Sequence, residues 1–145
     1  MLLLQVRGFF IMEKKTVLYV GCGPDHVLGK RGFDAEVWRE IRLDSDPNRA
    51  PDLVGSMTDL SAVSDESMDA VYASHTIERI LPQDVPKALG EAARVLRPDG
   101  VLVLTCTNIQ EACRLMAEGQ WKEPCYPIAA VCNRIFKPVC ENLGE

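Results

Sequence analysis

Two glycines one residue apart, Gly21 and Gly23, break an apolar run of strand formers in the stretch TVLYVGCGPD, residues 16–25. Val17, Leu18 and Val20 suit a strand buried on both faces of a parallel sheet. At the two glycines the chain can turn sharply and present backbone N–H groups to a ligand, with no Cβ to hold that ligand away. A plain turn uses the same residues, so a ligand loop calls for a second feature. Asp44 supplies one, at the end of a second strand expected over 39–43 that Asp46-Pro47 closes off. An acid roughly 20 residues beyond a glycine loop is placed to accept both hydroxyls of a ribose on one carboxylate; a solvated strand-end acid is the plainer alternative. A third group, His75, Thr76, Glu78 and Arg79, follows a strand expected over 68–74. Ligands of open α/β sheets lie outside the carboxyl ends of the strands, so this cluster would face the glycine loop. An imidazole that titrates near neutrality and a carboxylate both suit proton transfer. His75 and Glu78 are therefore candidates for orienting a substrate or taking its proton, against the plainer reading of a cap and a surface charge.

The elements that must position these groups follow from periodicity. Residues 52–55 make a brief third strand, and the segment from the glycine turn to Gly32 has room for a turn or two of helix. Val85, Leu89, Ala92, Ala93 and Leu96 fall at helical spacing, with Asp84 as N-cap, Pro86 in the first turn and an end at Arg97. Pro98-Asp99-Gly100 reads as a turn, residues 101–106 as a strand apolar on both faces, and residues 110–119 as a further helix. Ile128, Val131, Cys132, Ile135, Phe136 and Val139 fall at intervals of three and four, one face of a helix expected over 128–137, which Pro138 ends. Strands alternating with helices predict an α/β fold, a Rossmann-like doubly wound and mainly parallel sheet of about five strands.

Composition narrows the function classes. At 145 residues the chain suits one domain, and 47% hydrophobic with 26% charged residues is ordinary for a globular protein. A net charge of -5 argues against sequence-independent nucleic-acid binding, which needs Lys and Arg against phosphates. The leader MLLLQVRGFFI is too short and interrupted to span a bilayer and lacks the pattern of a signal peptide, so a cytoplasmic location is expected. It reads as an additional strand, a packing arm or residues ahead of an alternative start at Met12. The six cysteines form no Cys-X-X-Cys pair and have no His placed to complete a zinc set, so no metal is expected; they read as small buried hydrophobes. The domain reading is a leader over 1–15, a cofactor domain over 16–119, and a C-terminal loop and amphipathic helix over 120–145.

Over about residues 16–119 the chain resembles the class I S-adenosylmethionine-dependent methyltransferases in four successive blocks. VGCGP looks like the family's first motif and Asp44 matches its ribose-binding acid. SMDAVYASHTIERI looks like its fourth strand and exit, and ALGEAARVLRPDGVLVLTC is similar to the helix, turn and strand that follow. The resemblance implies S-adenosylmethionine as cofactor, over Gly21, Cys22 and Gly23, with Asp44 and Ser45 at the ribose, Met57 and Asp59 at the adenine, and Ser74 nearby. Tyr19, Asp25, Ser56 and Arg79 depart from the residues usual at their positions. NAD, the competing nucleotide, wants Gly-X-Gly-X-X-Gly, and position 26 is His. The resemblance implies methyl transfer to a small-molecule or protein acceptor; the alternative is a non-catalytic module that keeps the fold, with or without the cofactor, as an interaction or regulatory protein. The family normally adds two strands beyond the fifth, and none is expected in the 26 residues after Gly119, which read as loop and helix. The expected consequence is a homodimer through the fifth strand's edge and the C-terminal helix.

Overall fold

The computed structural model of the chain describes residues 3–6, 9–24, 26, 29 and 32–120. Its centre is a five-stranded sheet, wholly parallel, in the order β5-β4-β3-β6-β7. The strands are β3 (Lys15–Val20), β4 (Trp38–Asp44), β5 (Leu53–Val54), β6 (Met68–Ser74) and β7 (Leu96–Thr105). Ahead of them, β1 (Leu3–Val6) and β2 (Phe9–Met12) pair antiparallel with each other in a separate two-stranded sheet.

The middle of the sheet is dry on both sides, as the unbroken apolar runs require. Along β3, Leu18 and Val20 enter one core with Leu43, Val71 and Ala73, while Val17 and Tyr19 enter a second with Cys22, Ala70 and Tyr72. Helix α1 (Val85–Val95) closes the first core with Ala88, Ala92 and Val95, all fully buried. The second core is aromatic: Tyr19 and Tyr72 sit with ring centroids 5.2 Å apart, and Phe33 meets Trp38 edge-on at 5.0 Å.

The loop between β5 and β6 is tied to α1 by charge. Glu91 accepts from the Leu60 backbone N–H at 2.8 Å, and Arg94 donates to Glu91, to the Leu60 and Val63 carbonyls and to Asp65. The Arg94 guanidinium, helped by the Leu60 N–H, holds the Glu91 carboxyl down at about 2.

Several expectations are corrected. Helix α1 ends at Val95 and the chain passes directly into β7, so Pro98-Asp99-Gly100 lies inside a strand. The pairing shifts register between Met68↔Leu96 and Ala70↔Val101, which absorbs the extra residues as an irregularity. Only an edge strand tolerates the missing N–H of a proline there. Among the described residues β7 is an edge strand, less buried than its apolar sequence implies, with Val101 52% and Leu104 37% exposed. Asp84 occupies the N-cap position of α1 without a side-chain capping bond. Helix α2 (Ile109–Ala117) begins one residue early because Asn108 caps it, accepting from the Glu111 N–H at 3.1 Å. Cys22 is buried, but Cys106 and Cys113 are exposed free thiols rather than core residues. The expected turn of helix before Gly32 falls largely outside the described residues, and the helix expected over 128–137 falls wholly outside them.

Candidate cofactor and substrate site

Parallel strands end at one level, so the carboxyl ends of β3, β4 and β6 bring the predicted residues together. The chain leaves β3 into Gly21, whose N–H donates to the Leu43 carbonyl at 2.8 Å, as does that of Cys22 at 3.3 Å. The two glycines are required for different reasons. Gly21, at φ +69°, faces Thr76, and a Cβ there would stand 2.5 Å from Thr76 Oγ1. Gly23, at φ +60°, has nothing among the described residues within 4 Å of the place a Cβ would occupy, which leaves that side of the turn approachable by a ligand.

Asp44 Oδ2 accepts from the Gly23 N–H at 2.9 Å and Oδ1 from the Asp46 N–H at 3.0 Å. The sequence spacing thus reflects a direct contact. A carboxylate offers about four acceptor positions, so each oxygen keeps one for a ribose hydroxyl. Cys22 lies beneath the turn, where burial pushes its thiol up and the Arg42 guanidinium opposes the shift. Ser45 is exposed beside Asp44.

The turn after β5 joins the same end of the sheet, since the Gly55 N–H donates to the Asp44 carbonyl at 3.0 Å. Within it Ser56 and Asp59 form an antiparallel bridge. Met57 sends its side chain into the core, 2% exposed, so its backbone alone is left for a ligand. Asp59 is exposed, and bonds from Ser61, hydroxyl and backbone N–H, hold its carboxyl below the usual range.

At the exit of β6 the side chains interlock with those of β7. Ser74 Oγ accepts from Thr105 Oγ1 at 2.8 Å, and the His75 N–H donates to the Thr105 carbonyl at 2.8 Å. His75 adopts φ +53°, a left-handed conformation unusual for a residue with a Cβ. Its Nδ1 lies 2.9 Å from Glu78 Oε1, and Thr107 Oγ1 donates to the same oxygen at 3.3 Å. Glu78 Oε2 is buried and has no hydrogen-bond partner among the described residues. His75 and Glu78 therefore form one unit, with Thr107 as a third member. Thr107 and the buried Arg42 were not singled out by sequence reasoning, the second because an arginine alternating with Ile41 and Leu43 reads as a solvated face.

A glycine turn and a strand-end acid meeting at the reversal point of a 3-2-1-4-5 parallel sheet define a nucleotide-type cofactor fold. Comparison with known proteins narrows the class. Residues 18–104, well over half the chain, match the methyltransferase domain family. The curated relative named "Probable methyltransferase ltbC", from Aspergillus luteorubrus, is 30% identical over 114 residues, covering 64% of this chain and 40% of the relative. A SAM-dependent methyltransferase from Archaeoglobus fulgidus superposes with a TM-score of 0.55 at 19% identity, over 90% of this chain and 61% of that one. The PH0226 protein of Pyrococcus horikoshii OT3 gives a TM-score of 0.57 at 21% identity, over 73% and 55%. The chain thus spans less than two thirds of the length of these relatives. It belongs to the methyltransferase domain family and has the Rossmann-like fold of its S-adenosylmethionine-dependent members.

The Gly21 geometry yields a test of the loop. Gly21→Ala should destabilise the protein by more than the roughly 1–2 kcal/mol of a left-handed non-glycine residue, because the methyl also meets Thr76. Adding Thr76→Ala should recover the excess and leave the conformational part, as read by urea denaturation. Equal stability of the single and double variants contradicts the contact.

Proposed function

We propose that the chain is an S-adenosylmethionine-dependent methyltransferase domain whose cofactor lies across Gly21, Gly23 and Asp44. The observation that carries this reading is the Asp44 carboxylate closed on the Gly23 N–H, beside the open face of the glycine turn. Residues and cofactor fit: an acceptor pair with free positions for the ribose, and a backbone approachable where Cβ atoms are missing. The Met57 backbone and Asp59 stand on the adenine side, with Ser45 and Ser74 flanking. When bound, the cofactor supplies a methyl group already activated by its sulfonium, and the protein's task is to align an acceptor with it and exclude water.

On the substrate side, Glu78 Oε1 facing His75 Nδ1 holds the imidazole in place and favours the tautomer with its proton on Nδ1. The imidazole then accepts the acceptor's proton as transfer proceeds. This assigns His75 the proton-taking role and Glu78 the orienting one.

Calorimetry with S-adenosylmethionine and S-adenosylhomocysteine tests the cofactor reading: wild type should bind, and Asp44→Ala should lose about 1.5–3 kcal/mol, the range for hydrogen bonds to a charged group. Silence from wild type at millimolar ligand, a concentration of order 1 mM where even a weak site of about -4 kcal/mol shows, sinks the reading. His75→Ala should keep cofactor affinity while slowing transfer of labelled methyl groups by about a hundredfold or more. Unchanged transfer removes the histidine from the chemistry.

We also propose a homodimer through β7. An edge strand with Val101 and Leu104 exposed invites a partner strand, and a two-fold interface would cover both copies at once. Sedimentation as a clean monomer at about 50 μM, where a standard-sized interface holds, contradicts it.

A further inference from the structure

One charged side chain at the cofactor end of the sheet has no role in this account. Arg42 lies on β4 and is only 6% exposed. Among the described residues its guanidinium meets carbonyl groups rather than a carboxylate: Nη2 donates to the Gly23 carbonyl at 2.6 Å and the Arg49 carbonyl at 3.3 Å, and Nη1 to the Ala50 carbonyl at 3.0 Å. Burying a full charge for three neutral acceptors is a costly arrangement, unless the geometry it enforces is needed. Its backbone N–H is fixed as well, on Asp52 Oδ2 at 2.7 Å.

The position explains what that geometry is. Residues 42 and 44 are two apart on a strand and so share a face. From that face Asp44 takes the Gly23 N–H and Arg42 holds the Gly23 carbonyl, so both polar groups of Gly23's backbone are set by β4. The rest of the guanidinium reaches the turn after β4, Pro47–Arg49, and its C-cap Ala50, which sits at φ +48°. One planar fork thus joins the glycine turn to the turn that follows the ribose acid. A lysine, with one compact ammonium, cannot bridge acceptors in two loops in the same way.

Resting on the S-adenosylmethionine reading above, we propose that Arg42 is a positioning residue for the cofactor, tying the two loops that flank it into one preformed floor. Charge-assisted bonds of this kind are roughly twice as strong as neutral ones, and a preformed site avoids an ordering cost at each binding event.

The test is Arg42→Lys in the full chain, with S-adenosylhomocysteine as probe. Its affinity should fall about tenfold or more, equivalent to about 1.4 kcal/mol. Amide hydrogen exchange should quicken at residues 21–23, 46 and 48–50 while α1 stays as protected as in wild type, a local signature that general loss of stability does not give. Where Arg42→Lys alone does not fold, the same measurements in the background Ala50→Gly, which relieves the left-handed alanine, decide the matter. Affinity within twofold of wild type, exchange quickened equally in α1, or failure to fold in both backgrounds overturns the proposal, the last because Arg42 would then hold the fold itself. Failure of wild type to bind the probe overturns instead the cofactor reading on which it rests.

Discussion

The bond from the Gly23 N–H to Asp44 Oδ2 is the constraint on which the site depends. It joins the ends of two neighbouring parallel strands, and it exists only because those strands finish level, Val20 opposite Leu43. A charge-assisted bond between a backbone donor and a carboxylate is among the stronger that a partly buried turn can make. With Gly23 so held, the turn keeps its N–H groups grouped, and the carboxylate is aligned before any ligand arrives. The dry core on both faces of β3 supplies the stiffness: Leu18 and Val20 on one side and Val17 and Tyr19 on the other leave the strand no freedom to shift.

Much of this was legible in the residues. Burial on both faces makes β3 and β6 read as continuous apolar runs, and positive φ makes Gly21 and Gly23 stand out as punctuation. Asp44 was legible by distance along the chain, since the crossover between adjacent parallel strands has a narrow range of lengths. Arg42 was not, because an arginine alternating with Ile41 and Leu43 looks like a solvated face, and only the loops folding over it turn that face inward. The start of β7 was hidden for a different reason. Pro98-Asp99-Gly100 is a turn signature, and it is overridden where an edge strand can carry a register shift without losing its one neighbour. Asn108 at the N-cap of α2 and the exposure of Cys106 and Cys113 likewise depend on where β7 ends, which composition does not reveal.

The two halves of the site are built from different materials. Toward β4 the site presents one strand-end carboxylate and a glycine turn whose N–H groups are already bonded to Leu43 and Asp44, with Arg42 beneath them. Toward β7 they are side chains: Ser74, His75, Glu78, Thr105 and Thr107, joined by short bonds among themselves. Left-handed backbone at His75 costs of order 1–3 kcal/mol and persists only where neighbours hold it. Its N–H on the Thr105 carbonyl is one such hold, and the Glu78 contact is another.

That division has a mechanical consequence. Thr105 and Thr107, at the end of β7, hold His75 and Glu78 from outside the pair, and among the described residues β7 is the outermost strand on its side. The glycine turn and Asp44 hang instead from β3 and β4, at the centre of the sheet. Whatever pairs with or covers the outer edge of β7 therefore acts first on the side-chain cluster and only through β6 on the glycine turn. In this fold, order in the His75–Glu78 cluster can be adjusted from the sheet's edge while the glycine turn stays as the core sets it.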